Sequence, residues 1–390
     1  LADWSRHSSL TRIIVFYSRL DLCIFTQRVL FSLSSCLHIR LQGILPFSAL
    51  AGHPLREFKR SPSSTGGRMY NAGISLLSIL LTAVLKWPVV LPIVVIAIYM
   101  SLKNNPAESY TINRFFGDFK VGGHRGSPHR QPENTMASFI EAKAEGADLI
   151  EFDVSLTKDG VAVLLHDDTL DRTTNASGPI RQFLFKELHH VNCAAKFVPQ
   201  DPDNSTIIQT APMVTLEEIV KWAKENNMKM LFDVKDSDTI LIEQLNKLFD
   251  LHELHDIGIV CSFFPIVVYR IKKLCPTILT GLTWRRWFCS YSDVENKVPR
   301  FSGPTHYFAV LLDILNVWSI KSWLPSFLGV DMILTERSEI SNAFVQKQKD
   351  YGRYVCAWTV NDLNELNWMQ NTLLIPVLTD RPHLIKKLKQ

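Results

Sequence analysis

The 390-residue chain is 46% hydrophobic, 21% charged and has a formal net charge of +4. That is ample apolar material for a large core, and without a basic block interleaved with aromatics it argues against a nucleic-acid partner. The seven cysteines are odd in number, widely spaced and form no CxxC pair, which excludes a disulfide scaffold and gives no sign of a zinc site.

Residues 1–68 hold eight arginines, no methionine, and only Asp3, Asp21 and Glu57 as acids. This composition resembles a transit peptide, while a fragment or a gene-model extension explains the missing start residue equally well, so residues 1–73 are expected to be a disordered or non-native extension. From Ile74 to Met100 the chain is apolar except for Ser75, Ser78, Thr82 and Lys86. Residues 74–102 are therefore read as one transmembrane helix, with a hairpin of two short halves broken at Lys86 to Pro88 as the other reading. Arg56, Lys59, Arg60 and Arg68 precede the span, against Lys103, Arg114 and Lys120 after it. The positive-inside rule then places the N-terminus in the cytosol and the rest of this single-pass membrane protein in the lumen or outside the cell. The sequons at Asn175 and Asn204 are usable for glycosylation on that side.

Residues 103–118 are expected to be a linker. Beyond it, short apolar runs at 119–124, 147–153, 228–235, 257–262, 277–283, 329–334, 353–359 and 374–379 alternate with helical patterns, which predicts eight parallel strands and a closed TIM (β/α)8 barrel over 119–390. The helical patterns run from Thr135 to Glu145, Leu216 to Asn226, Thr239 to Leu251, Ile266 to Leu274, Ser338 to Lys349 and Leu363 to Met369, with Thr215 as an N-cap before Glu217 and Glu218. Val161 to Leu165 follows the turn-forming Lys158, Asp159 and Gly160 and predicts a small hairpin insertion over the barrel mouth. The apolar stretch from Tyr307 to Val330 is read as an amphipathic cover or membrane-surface helix. A transmembrane crossing there would separate the last strands from the barrel they must close.

Chemistry-bearing residues collect at strand ends: His124, Arg125 and Gly126; Glu151 and Asp153; His166 and Asp167; Asp233 and Lys235. Side chains two apart in a strand share a face, so Glu151 with Asp153, and Asp233 with Lys235, can aim at one centre. Converging carboxylates repel and take up protons unless a cation neutralises them. A hard divalent ion with oxygen ligands, Mg²⁺ or Ca²⁺, meets that need. Two imidazoles beside such an ion, with Arg125 and Lys235, suit acid and base cleavage of an anionic phosphate ester.

His124–Arg125–Gly126, Pro132–Glu133–Asn134–Thr135, Gly146–Ala147–Asp148, Glu151, Asp153, Thr157, Asp159, Gly160, His166 and Asp167, together with the closing Leu378–Thr379–Asp380–Arg381–Pro382, resemble the glycerophosphodiester phosphodiesterases. Phe232 to Lys235, Val260 to Phe263 and Trp358 to Asn361 are similar to the membrane-anchored animal subgroup. The resemblance covers about the last seven-tenths of the chain. It implies that Glu151, Asp153 and Asp233 hold a divalent cation, Mg²⁺ ahead of Ca²⁺, that His124 and His166 are the catalytic acid and base, and that Arg125 and Lys235 bind the substrate phosphate. Many members have glutamate where Asp233 stands, which leaves the choice of ion open. Lys235 is alternatively a mere partner of Asp233. Glu133 is expected to accept hydrogen bonds from Arg125 and a helix N-terminus, with a place near the metal as the other reading. Asn134 and Thr135 read as helix caps, and Trp284 and Trp358 as walls of a lipid pocket or as core.

The implied substrates are glycerophosphoinositol, related glycerophospho-alcohols and lysophospholipid-type N-acyl species, with an alcohol and glycerol 3-phosphate or a lysophosphatidic acid as products. A lyase ending at a cyclic phosphate, and a membrane-tethered lipid head-group binder without turnover, are the competing readings.

Overall fold

The computed structural model describes residues 90–200 and 208–388. The expectations for residues 1–73, for the 74–89 part of the expected span and for the sequon at Asn204 lie outside the described residues. The strands are β1 (Val121–Gly123), β2 (Leu149–Leu156), β3 (Ala162–Leu164), β4 (Lys229–Val234), β5 (Gly258–Ser262), β6 (Leu279–Trp284), β7 (Met332–Glu336), β8 (Tyr354–Trp358) and β9 (Val377–Thr379). All except β3 pair in parallel, and β1 pairs with both β9 and β2, which closes an eight-strand barrel.

The period-two alternation of the strands divides their side chains between two environments. On β2, Leu149 joins the barrel interior with Leu231, Ile259, Cys261, Leu279, Met332, Leu334, Cys356 and Leu378. Ile150, Phe152 and Val154, one residue out of step, pack outward against helix residues such as Phe139, Ile219 and Leu245. The outer helices include Met136–Glu145, Leu216–Glu225, Thr239–His252 and Pro265–Leu274. Thr135 caps the first of these and Gly146 ends it in the left-handed conformation, while Thr215 and Glu218 form a capping box on the second.

Two features differ from the sequence reading. Residues 103–118 are no linker: the helix Ser109–Phe116 and Phe119 send Ile112, Phe115, Phe116 and Phe119 into the interior cluster and plug the N-terminal mouth of the barrel. Ile112, Phe115, Phe116 and Phe119 recur at the helical spacing of three and four, a signal the linker reading leaves unused. The insertion is also more than a hairpin. Although β3 does fold back antiparallel on the end of β2, residues Val163, Leu165, Leu170, Ile180, Leu188, Val191 and Met213 form a separate hydrophobic cluster of their own. The expected transmembrane helix is described only over residues 90–102, and no described helix is long and apolar enough to cross a membrane.

The stretch beginning at Tyr307 forms the helix Pro304–Ser322. Tyr307, Phe308, Leu311, Ile314, Leu315 and Trp318 are exposed along it, and their spacing of three and four makes one apolar stripe.

Candidate active site

The barrel's C-terminal mouth gathers the charged residues because the inward row of each strand changes character there. On β2 the inward positions run Leu149, Glu151, Asp153, and on β4 they run Leu231, Asp233, with Asp153 and Asp233 in register as neighbours. Glu151, Asp153 and Asp233 are 3%, 1% and 5% exposed, and one oxygen of each lies within 4.8 Å of the others. Burial, Asp153 and Asp233 push the Glu151 carboxyl well up, although His124 and Arg125 oppose them. Asp153 also pays a burial penalty, yet Lys235 and Arg125 hold it ionised, far below the usual carboxylate range. Three buried carboxylates with one driven to keep its proton fit a divalent cation, whose charge would release that proton.

Arg125 takes a left-handed backbone conformation (φ 55°), and its amide donates to Glu151 Oε2 at 2.7 Å. The following Gly126 has φ 91°, and a Cβ there would meet Ser138 Oγ at 2.4 Å, so this turn tolerates no side chain. The Arg125 guanidinium lies 3.3 Å from Asp153 Oδ2 and 3.0 Å from Glu133 Oε1. Glu133 also accepts two bonds from Arg172, at 2.7 and 2.8 Å. It thus sits between two arginines, and among the described residues no helix N-terminus is its partner.

Lys235, just past β4, reaches Asp153 Oδ1 at 2.9 Å and pairs with Asp233 as well. It lies 5.7 Å from the Phe263 ring, which stacks on Phe288 and meets Trp358 edge-on at 5.6 Å. These three half-buried rings form an aromatic wall beside the lysine. Trp284 is core, packed with Ile320, Leu328 and Ile333.

His124 and His166 are each held by a carboxylate. His124 Nδ1 is 2.7 Å from Asp380 Oδ1, whose other oxygen accepts from Asn361 Nδ2 at 2.7 Å. His166 Nδ1 is 2.6 Å from Asp167 Oδ1, and Asp167 is held in turn by Arg172. With each Nδ1 committed to an acceptor, each Nε2 is left for substrate. Burial and Arg125 lower the pKa of His124, but Asp380 and Glu151 outweigh them and the net shift is upward. For His166, burial, Lys235 and Arg125 outweigh Asp153 and Asp167, and the net shift is downward.

All eight residues singled out by sequence, His124, Arg125, Glu133, Glu151, Asp153, His166, Asp233 and Lys235, lie in this one network of contacts. Asn134 departs from its expected capping role: its side chain donates to Asp153 Oδ2 at 2.8 Å and accepts from the Asp153 amide. Asp380, Asn361 and Arg172 were assigned no role. Asp380 stands just past the last strand, the same position His124 holds after the first, and that placement was the available clue.

The sequence profile of the Glycerophosphoryl diester phosphodiesterase family matches residues 124–384. The chain is 33% identical over 261 residues to Glycerophosphodiester phosphodiesterase 1 of Homo sapiens, covering 66% of this chain and 76% of that protein. It is 35% identical over 260 residues to the Bos taurus protein of the same name, with the same coverage. Among solved structures, the fold is similar to an Oleispira antarctica phosphodiesterase in complex with the product sn-glycerol-3-phosphate, with TM-score 0.53, 23% identity, and 69% and 96% of the two chains covered. It is also similar to a glycerophosphodiester phosphodiesterase from Agrobacterium tumefaciens, with TM-score 0.53, 20% identity, and 69% and 99% covered.

Proposed function

Because the chain belongs to the glycerophosphoryl diester phosphodiesterase family and is a phosphodiesterase, we propose that it hydrolyses glycerophosphodiesters by paired histidine catalysis at a cation-bound acidic centre. The observation that carries the reading is the meeting of Glu151, Asp153 and Asp233 between two carboxylate-held imidazoles. These three carboxylates would hold a divalent cation, Mg²⁺ ahead of Ca²⁺ on the all-oxygen donor set, and the ion would supply charge stabilisation to the phosphoryl oxygens.

The residues do the rest. Arg125 and Lys235 place two fixed positive charges at the phosphodiester and oppose the negative charge that builds as phosphorus becomes five-coordinate. One histidine takes the proton of the attacking hydroxyl at Nε2, and the other gives its Nε2 proton to the leaving alcohol oxygen as the phosphorus–oxygen bond breaks. Asp380 and Asp167 keep each ring in the tautomer and orientation this requires. The glycerol half yields sn-glycerol 3-phosphate, the compound named as product in the Oleispira antarctica structure. The wall of Phe263, Phe288 and Trp358 suits an acyl chain, which supports lysophospholipid-type N-acyl substrates alongside glycerophosphoinositol, and a lysophosphatidic acid as their product. Turnover of glycerophosphoinositol and of a lysophospholipid by the full chain, with and without EDTA, tests the reading. Undiminished release in EDTA, or in a variant lacking both histidines, contradicts it. Phosphorus NMR of the first product separates hydrolysis from a lyase that stops at a cyclic phosphate.

The exposed stripe on Pro304–Ser322 supports a lipid bilayer as partner. The helix over 90–102 exposes Val90, Leu91, Ile93, Val94, Val95 and Ile96, and its Tyr99 packs 5.5 Å from Phe327 in the short helix Leu324–Leu328 that follows Pro304–Ser322. In sequence that helix continues the apolar run from Ile74. This supports a membrane-held enzyme, and the exposed Asn175 is a usable glycosylation site if the barrel is lumenal or extracellular. Endoglycosidase sensitivity and protease protection in sealed vesicles decide the side. Digestion of the barrel in unopened vesicles places it in the cytosol.

A further inference from the structure

A second cluster of ligating side chains lies apart from the acidic centre. His129 stands in the loop after β1, Glu145 ends the helix Met136–Glu145, and His383 follows β9. His129 Nδ1 is 2.8 Å from the Asp380 backbone carbonyl, which can only accept, so Nδ1 carries the proton and Nε2 presents a lone pair. Among the described residues that Nε2 makes no hydrogen bond, although the side chain is 2% exposed. It lies 3.5 Å from Glu145 Oε1, and His383 Nδ1 is 3.7 Å from the same oxygen. One ligand atom from each of the three lies within 4.8 Å of the others.

A tetrahedral zinc ion with bonds of about 2.0–2.1 Å sets its ligand atoms roughly 3.3 Å apart, close to the two spacings seen here. Two imidazoles and one carboxylate are also a donor set that zinc-class ions accept, leaving one position open. An imidazole whose other nitrogen donates to a backbone carbonyl is the usual condition of a metal-ligating histidine. Two neighbours share Glu145: Ser127 Oγ donates to Oε2 at 2.7 Å, and Arg130 approaches Oε1 at 3.0 Å while also reaching Glu141 at 3.3 Å.

We propose that His129, Glu145 and His383 bind a zinc-class divalent ion, distinct from the hard cation expected at Glu151, Asp153 and Asp233. The ion would tie the segment after the last strand to the loop after the first. It would also sit behind the active site, because Asp380 accepts from His129 through its carbonyl and holds His124 through its carboxylate. The rival occupant is a proton: burial pushes Glu145 up to about 7 and His129 down to about 4, so a protonated Glu145 facing a neutral imidazole would also satisfy the cluster.

The test is metal content and spectroscopy of the full chain in excess Mg²⁺, which saturates the oxygen centre. Zn²⁺ is expected to bind with one equivalent more than in His383→Ala or Glu145→Gln, and Co²⁺ in its place should give the intense visible absorption of a tetrahedral site. His383 is partly exposed and Gln is isosteric with Glu, and the folding of both variants is checked by circular dichroism. The same equivalent should persist in His255→Ala, which disables the partly exposed Asp250, His255 and Cys275 group. Zinc content unchanged by His383→Ala and Glu145→Gln, or a weak octahedral Co²⁺ spectrum, overturns the proposal and leaves the proton in place.

Discussion

The two mouths of the barrel are built from the same strands and have opposite chemistry. At the N-terminal mouth, Ile112, Phe115, Phe116 and Phe119 cover Leu149 and Leu231. One inward position further along each strand stand Glu151 and Asp233. That step is two residues, roughly 7 Å of strand, so the charged centre rests directly on an apolar floor. Charge kept from water on one side interacts more strongly with its neighbours. The opposite shifts of Glu151 and Asp153, two residues apart on one strand, follow from Lys235 and the Arg125 guanidinium, which pair with Asp153 at 2.9 and 3.3 Å, while burial and the two aspartates prevail at Glu151.

Changes at the charged mouth should remove activity and leave the fold, and changes at the apolar mouth should do the reverse. Asp153→Ala is expected to have the largest effect, since it removes a cation ligand and the shared partner of Arg125 and Lys235. Turnover should fall by more than about 10⁴-fold, past the upper end of the roughly 10²–10⁴ range of a lost acid or base, while circular dichroism stays native. His124→Ala and His166→Ala should each cost about 10²–10⁴-fold in turnover. Asp380→Asn keeps the imidazole and loses only the carboxylate that orients it, for an expected loss of about 10–100-fold. Phe115→Ala reverses the pattern: thermal or urea unfolding should show a loss of about 3–5 kcal/mol, with the folded fraction turning over substrate normally. A Phe115→Ala chain that is fully stable but inactive would break the division between the two ends.

The smallest expected effect is in the titration of the two histidines. In the metal-free chain, NMR should find His124 above and His166 below the usual 6.5. Near that pH the first ring is then the more protonated of the two. Equal midpoints would show that Asp380 and Lys235 do not set them apart.

The acidic centre was readable because Glu151, Asp153, Asp233 and Lys235 sit at spacings of two at the ends of apolar runs, and strand geometry turns that spacing into a shared face. Asp380 was hidden because its meaning depends on closure: only when β9 pairs with β1 does the residue after one strand meet the residue after the other. His129 and His383 were hidden for the same reason, being far apart in the chain and joined only by that pairing. The plug at Ser109–Phe116 was missed although Ile112, Phe115 and Phe116 keep the helical spacing of three and four, because the surface that buries them is the barrel it closes. Arg172 lies in the insertion, where neither period applied.

The most direct test is calorimetric titration of the metal-stripped chain with Mg²⁺, followed in parallel by turnover of glycerophosphoinositol. One equivalent should bind, activity should rise with its occupancy, and affinity should increase with pH as Glu151 gives up its proton, all of which Asp153→Asn should abolish. Full turnover in the stripped chain, or Mg²⁺ binding that survives Asp153→Asn unchanged, would contradict a cation held by Glu151, Asp153 and Asp233.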